Sequence, residues 1–318
     1  MKTTSNSSLL TNCVGCVVGD SEYGKCTPPS PPPGLRGVIL NAKRNTYFSR
    51  ALLFLAALAV TMILLFPAIL ALGTSFKPMG EIFTMTPTIF PLEPTLASYQ
   101  KILSMPEFSR YLMNSLIIAG LTALIAVIAS LLAAYALTFL RFPGRKSVSQ
   151  MILMTYMFPS VTLVIPFYFL ACRLDLLDTH GILILADLSF ALPIAVWLMN
   201  GYFEKFPIEL VKAARIDGCG PLRIIHHVIL PIMTPGITAA GVFAFILAWS
   251  EYLFSLTLTL TDASRTVSAG MHYCLMGNYR TDYGLLTAAG IIMVIPVVIL
   301  FALFQKYIVG GLTEGSLK

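Results

Sequence analysis

The sequence predicts an all-α membrane protein with six transmembrane helices and a short cytoplasmic helix between the fourth and the fifth. Three observations carry that reading. The 318 residues are 57% hydrophobic and only 11% charged, whereas a soluble domain carries about 25% charged residues. That deficit leaves too few charges to clothe a surface facing water. Six apolar stretches are present, each close to or beyond the about 20 residues a helix needs to cross a bilayer. Strict apolar–polar alternation is absent, which argues against a barrel of membrane strands.

The stretches fall at residues 51–72, 111–140, 151–172, 181–203, 228–260 and 283–305. The fourth carries one acid, Asp187, and the fifth carries Glu251. Pro67, Pro159, Pro166, Pro193, Pro235 and Pro296 lie inside them. Neighbouring helices or water must satisfy the carbonyls that such prolines free.

Charge placement sets the orientation. The formal net charge is +6, from 21 Lys and Arg against 15 Asp and Glu. Most of the cations fall on one side of a six-span chain. They are Lys2, Lys25, Arg36, Lys43, Arg44 and Arg50 before the first span, and Arg141, Arg145 and Lys146 after the second. Lys205, Lys212, Arg215 and Arg223 follow the fourth, and Lys306 and Lys318 follow the sixth. Cytoplasmic loops carry the excess of Lys and Arg, so both termini are predicted to be cytoplasmic. The basic excess is a topology signal, and no nucleic-acid partner is expected.

Residues 1–44 are predicted to form a flexible cytoplasmic tail. Ser, Thr, Gly and Pro dominate its beginning, and Pro28, Pro29, Pro31, Pro32 and Pro33 form a stiff polyproline run. Residues 45–318 form the membrane domain. Cys13 and Cys16 make a CxxC with only Cys26 nearby, too few ligands for a tetrahedral zinc site. The long outer connections, 73–110 and 261–282, are candidate docking surfaces.

Enzymatic motifs are missing. There is no GxxxxGK[ST], HExxH, GxSxG or GxGxxG. His226 and His227 are adjacent, and neighbours on a helix do not face each other. No catalytic residue, metal site or cofactor is expected in this chain.

One cytoplasmic loop is different in kind. Residues 206–237 read FPIELVKAARIDGCGPLRIIHHVILPIMTPGI. Pro207 suits the first turn of a helix, and Glu209 complements its dipole. Leu210, Ala213, Ala214 and Asp217 follow at helical spacing, and Gly218 with Gly220-Pro221 ends the helix. Ala213 and Ala214 form a small-residue patch that allows close approach. So short a helix is marginal alone and needs a surface to pack against, either its own membrane domain or a partner.

Here the sequence resembles the permease subunits of ATP-binding cassette (ABC) importers, in their carbohydrate group. Their signature is a Glu-Ala-Ala stretch, a Gly four residues after the second Ala, and a later Leu-Pro. Ala213, Ala214, Gly218, Leu230 and Pro231 stand at the matching spacing, with Asp217 as the acid before the Gly. The position of the motif's Glu holds Lys212, and the preceding acid is Glu209. The resemblance covers residues 45–318 and extends to four other stretches. These are Arg141-Phe142-Pro143-Gly144, residues 157–166, residues 248–252 and residues 304–313.

That resemblance implies a permease in a prokaryotic inner membrane, importing a sugar or oligosaccharide. It implies a second permease subunit, two ATP-binding subunits and an extracytoplasmic sugar-binding protein. ATP and Mg would belong to the ATPase partner, whose closure would drive alternating access through the Ala213–Ala214 helix. Glu251 and Asp187 are then candidates for the substrate pathway, because acids inside a membrane usually face a bundle interior or a wet cavity. Trp249 and Tyr252 join them, since aromatic and acidic groups suit sugar faces and hydroxyls. The rival reading is a self-sufficient secondary transporter of a small polar solute, although no internal repeat of the kind many carriers show is visible.

Overall fold

The computed structural model describes residues 33–84, 88–276 and 282–313. Every regular element among those residues is a helix. Residues 1–63 and 64–318 form two units. In the first, helix α1 (Pro33–Ser75) begins inside the segment expected to be a flexible tail. Pro33 fits a first helical turn because its missing N–H is not needed there. The side chains of residues 52–63 are exposed. Cys13, Cys16, Cys26 and the rest of the polyproline run lie outside the described residues.

Among the described residues, four helices are long and apolar enough to cross a bilayer in one piece: the Leu52–Ser75 part of α1, α4 (Pro106–Phe139), α7 (His180–Phe203) and most of α14 (Tyr283–Thr313). The connection 73–110 contains two short helices, α2 (Met79–Ile82) and α3 (Ala97–Leu103).

The third and fifth apolar stretches, expected as continuous spans, are bent pairs. α5 (Arg145–Thr155) and α6 (Ser160–Arg173) meet at 92°. Pro159 accounts for the break, since it disfavours helical backbone at Phe158 and is itself extended, φ −61° and ψ 132°. The helical segment that leads into the fifth stretch starts earlier than expected, with α9 (Pro221–Ile224), a π-helical turn at Ile225–Ile229 and α10 (Leu230–Ile232). It then turns by 87° into α11 (Thr234–Trp249). Pro231 donates no hydrogen bond to the preceding turn and crowds its carbonyl, and the wider π-helical turn lies directly before it. α11 also stops at Trp249, short of the expected residue 260, and α12 (Leu253–Leu258) starts afresh after three non-helical residues.

α4, α7 and α11 pack together at the centre of the second unit. Many of their buried positions are small: Ala119, Ala126 and Ala134 on α4, Ala186, Ala191 and Ala195 on α7, and Ala239, Ala240 and Ala244 on α11. Lipid tails are as apolar as the helices, so close backbone approach takes over as the packing force. Gly236 marks the limit, because a Cβ there would stand 2.7 Å from the Tyr202 ring.

One end of this trio is tied by a polar latch. Asp178 sits in the left-handed region at φ 61°, which Asp tolerates better than most residues. Its carboxylate accepts the N–H groups of Leu260 (2.8 Å) and Thr261 (3.0 Å). It also accepts the hydroxyls of Thr261 (2.6 Å) and Ser264. Asn114 Nδ2 donates to the carbonyls of Ala263 and Arg265, both at 2.9 Å. The Tyr111 hydroxyl donates to Asp262 at 2.6 Å. Ser115 Oγ accepts the Val267 N–H at 2.8 Å, at the start of α13 (Val267–Met276).

Partial burial alone would raise the Asp178 carboxyl, but hydrogen bonds from Ser264, Thr261 and Leu260 outweigh it and hold the group at about 2. A carboxylate held below its ordinary 3.8 stabilises the fold above that value and stops doing so as pH falls through the folded value. The latch is therefore complete at neutral pH and fails between about pH 4 and pH 2. Asp178→Ala should speed amide exchange at Leu260 and Thr261 by roughly tenfold or more at neutral pH. Unchanged protection in hydrogen–deuterium exchange would contradict the latch.

Candidate functional site

Two places gather the residues singled out in the sequence. The first is α8 (Ile208–Ile216), which follows directly from the helix-start and helix-stop residues. Pro207 precedes it in extended conformation and Glu209 lies in its first turn. At its end Gly218 takes φ 77°. The Gly218 N–H donates to Arg215 O (3.1 Å) and the Cys219 N–H to Ala214 O (2.9 Å). These are the two bonds of a Schellman ending, and the left-handed residue they require is readily supplied by Gly.

The helix splits the alanine pair. Ala214 and Val211 are buried in a cluster that includes Tyr135, Phe203, Phe206, Ile224 and Ile229. Ala213 is exposed, beside Glu209, Lys212 and Ile216. Ile216 is 86% exposed. Lys212 and Glu209 approach at 4.0 Å across one turn, a surface pair worth little by itself. Asp217 caps the helix and is exposed, while Leu230 and Pro231 lie in α10 with their side chains exposed. The apolar face of α8 is thus seated on its own chain, and the Ala213 face is free.

The seat connects α8 to the long helices. Phe139, at the end of α4, meets Phe203 of α7 at 5.6 Å and Phe206 before α8 at 6.0 Å, between ring centroids. Val211 and Ala214 of α8 are buried in the same close-packed cluster as Phe203 and Phe206, with Phe139 packed against it.

The second place is a cavity of about 540 Å³ where the two helix interruptions meet. Residues 156–160 between α5 and α6 line one part of it, and residues 250–254 between α11 and α12 line another. Asp187, Phe190 and Leu247 complete it. Asp187, Glu251 and Tyr252 are thus brought together. Trp249 is not: it is buried, its Nε1 donates to Met293 O at 3.2 Å, and it stacks on Phe245 at 5.6 Å.

Glu251 has a local task as well. Its carboxylate accepts the N–H of Phe254 (2.7 Å) and of Ser255 (3.0 Å), two of the free donors at the start of α12. Asp187, 5% exposed, has no hydrogen bond or ion pair among the described residues.

His226 and His227, expected on separate faces, touch edge to face at 4.7 Å within the π-helical turn. That wider turn reduces the angle between successive side chains. Among the described residues no three His, Cys, Asp or Glu side chains gather in a way that would hold a metal ion.

Residues 125–314 match the family described as binding-protein-dependent transport system inner membrane component. The sulfoquinovosyl glycerol transport system permease protein of Agrobacterium fabrum is 35% identical over 275 residues, covering 86% of this chain and 96% of its own. The trehalose transport system permease protein of Mycobacterium tuberculosis is 34% identical over 280 residues, covering 88% of this chain and 100% of its own. The chain belongs to this family of inner-membrane transport components. Its fold matches that of a bacterial ABC transporter involved in the import of the acidic polysaccharide alginate, with a TM-score of 0.65 and 21% identity. That match covers 89% of this chain and 100% of the other.

Both helix breaks line the cavity, and Glu251 satisfies the start of α12 at one of them. Glu251→Ala leaves two buried N–H groups without an acceptor and should lower stability by about 1–3 kcal/mol. Glu251→Gln, which retains one acceptor oxygen, should lose less. Thermal unfolding of the detergent-purified chain checks the ranking, and equal stability of all three forms would contradict the capping role.

Proposed function

We propose that the chain is the permease subunit of an ATP-driven importer for a sugar or oligosaccharide, converting closure of a separate ATPase into alternating access. The observation that carries this reading is the seating of α8. Val211 and Ala214 fix it to the cluster holding Phe203 and Phe206, while Ala213, Lys212 and Ile216 face away. A helix held by one face and bare on the other fits a helix-in-groove contact.

In this reading the two ATP-binding subunits receive the Ala213 face, and ATP and Mg reside in them. A second permease subunit and an extracytoplasmic sugar-binding protein complete the assembly. The family's binding-protein-dependent description and its sugar-transport relatives support those partners. Both termini lie in the cytoplasm, on the side of α8, as the Lys and Arg placement supports. ATP shifts the conformational balance only through differential affinity for the two states. α8 is the element through which that difference reaches α4 and α7. Asp187, Glu251 and Tyr252 form this chain's part of the substrate pathway.

The separated alanines sharpen the test. Ala213→Glu alters the free face alone, so it should insert normally yet lower ATP-dependent uptake by roughly tenfold or more. Gly218→Asp, which forces a side chain into the left-handed position, should also uncouple. Ala214→Glu instead buries a charge in the chain's own core and should reduce membrane abundance. Normal uptake with Ala213→Glu at normal abundance would count against docking through this face.

A further inference from the structure

We propose that the cavity between the two helix interruptions selects its solute by charge. Asp187 recognises a hydroxyl donor of an uncharged polyhydroxylated solute, and acidic sugars are rejected. This rests on the pathway reading above and adds the substrate class to it.

Three observations converge. Asp187 is 5% exposed, lines the cavity and has no hydrogen bond or ion pair among the described residues. A buried polar group without a partner is costly, and such a group facing a cavity is satisfied when a ligand or water fills it. Glu251, the other acid in the lining, already accepts two backbone N–H groups, so Asp187 is the carboxyl with its bonding capacity unspent. No lining residue is Lys, Arg or His.

The selectivity follows in either protonation state of Asp187. When ionised, its oxygens accept hydroxyl hydrogens and repel a solute carboxylate or sulfonate. When protonated, it donates one hydrogen bond and accepts others, but the cavity still offers no cation to compensate a buried anion. An uncharged sugar meets no such penalty, and Tyr156, Phe190 and Tyr252 supply apolar surfaces for its ring faces. A volume of about 540 Å³ lies within the roughly 300–1,000 Å³ of small-molecule sites. Discrimination built on an unpaired charge is a rejection device, and it needs little added affinity for the accepted solute.

The test uses the complete importer, with its partner permease, ATP-binding subunits and binding protein, in proteoliposomes. Probes are trehalose, maltose and diacetylchitobiose, each paired with its mono-uronate, in which one hydroxymethyl group is oxidised to a carboxylate. The native importer should take up the preferred neutral sugar at least about tenfold faster than its uronate. Asp187→Asn should lower that ratio by about threefold or more where Asp187 is ionised, and should leave it unchanged where Asp187 is protonated. Ser250→Arg, which places a cation in the lining, should lower it further and serves where Asp187→Asn fails to accumulate. The binding protein is the same throughout, so a changed ratio belongs to this chain. A native ratio near one, or a ratio unmoved by Ser250→Arg, would overturn the charge-selection proposal and leave the importer reading standing. Absence of ATP-driven uptake for every probe would overturn both.

Discussion

A backbone N–H without a partner costs several kcal/mol in hydrocarbon, and this constraint bears on the two helix interruptions that line the cavity. Non-helical backbone is tolerated at membrane depth only where protein or a wet cavity receives it. The breaks at residues 156–159 and 250–252 line one cavity. At the second, Glu251 supplies the acceptors that α12 lacks from its own helix. The acid is thus part of how the break is built as well as part of the cavity wall.

The same helices carry different work at their two ends. At one end, Asp178 and Asn114 hold the segment between α12 and α13 in a network of charge-assisted and neutral hydrogen bonds. At the other, Phe139 of α4 meets Phe203 of α7 and Phe206, in the cluster that also buries Val211 and Ala214 of α8. Between them the alanine-lined contacts of α4, α7 and α11 leave little slack. In the proposed role, a push on α8 would reach the ends of α4 and α7 through that cluster. Rocking of packed elements around a fixed site is a common route to alternating access.

Much of this was legible in the sequence because the signals are local. Apolar length marks the four continuous spans, and Pro207, Glu209 and Gly218 delimit α8 to within a residue or two. What the sequence withheld depends on three dimensions. Pro159 and Pro231 announce disturbance but not a bend near 90°, since proline in a membrane helix is often absorbed without one. Ala213 and Ala214 look equivalent, yet the helical phase buries one and exposes the other. Trp249, close in sequence to Glu251, turns to Met293 instead of the cavity. The latch of Asp178 joins residues more than 80 positions apart, and its one early sign is an acid in a short loop between two apolar stretches.

The central claim is that this chain works as one part of an assembly driven by a separate ATPase. Mild-detergent purification of the full chain from its native membrane, followed by mass spectrometry and an ATPase assay, tests it most directly. The account predicts recovery of a second permease and an ATP-binding subunit, with ATP hydrolysis in the purified complex. Recovery of this chain alone under several detergents, together with solute uptake by the purified chain without ATP, would contradict it.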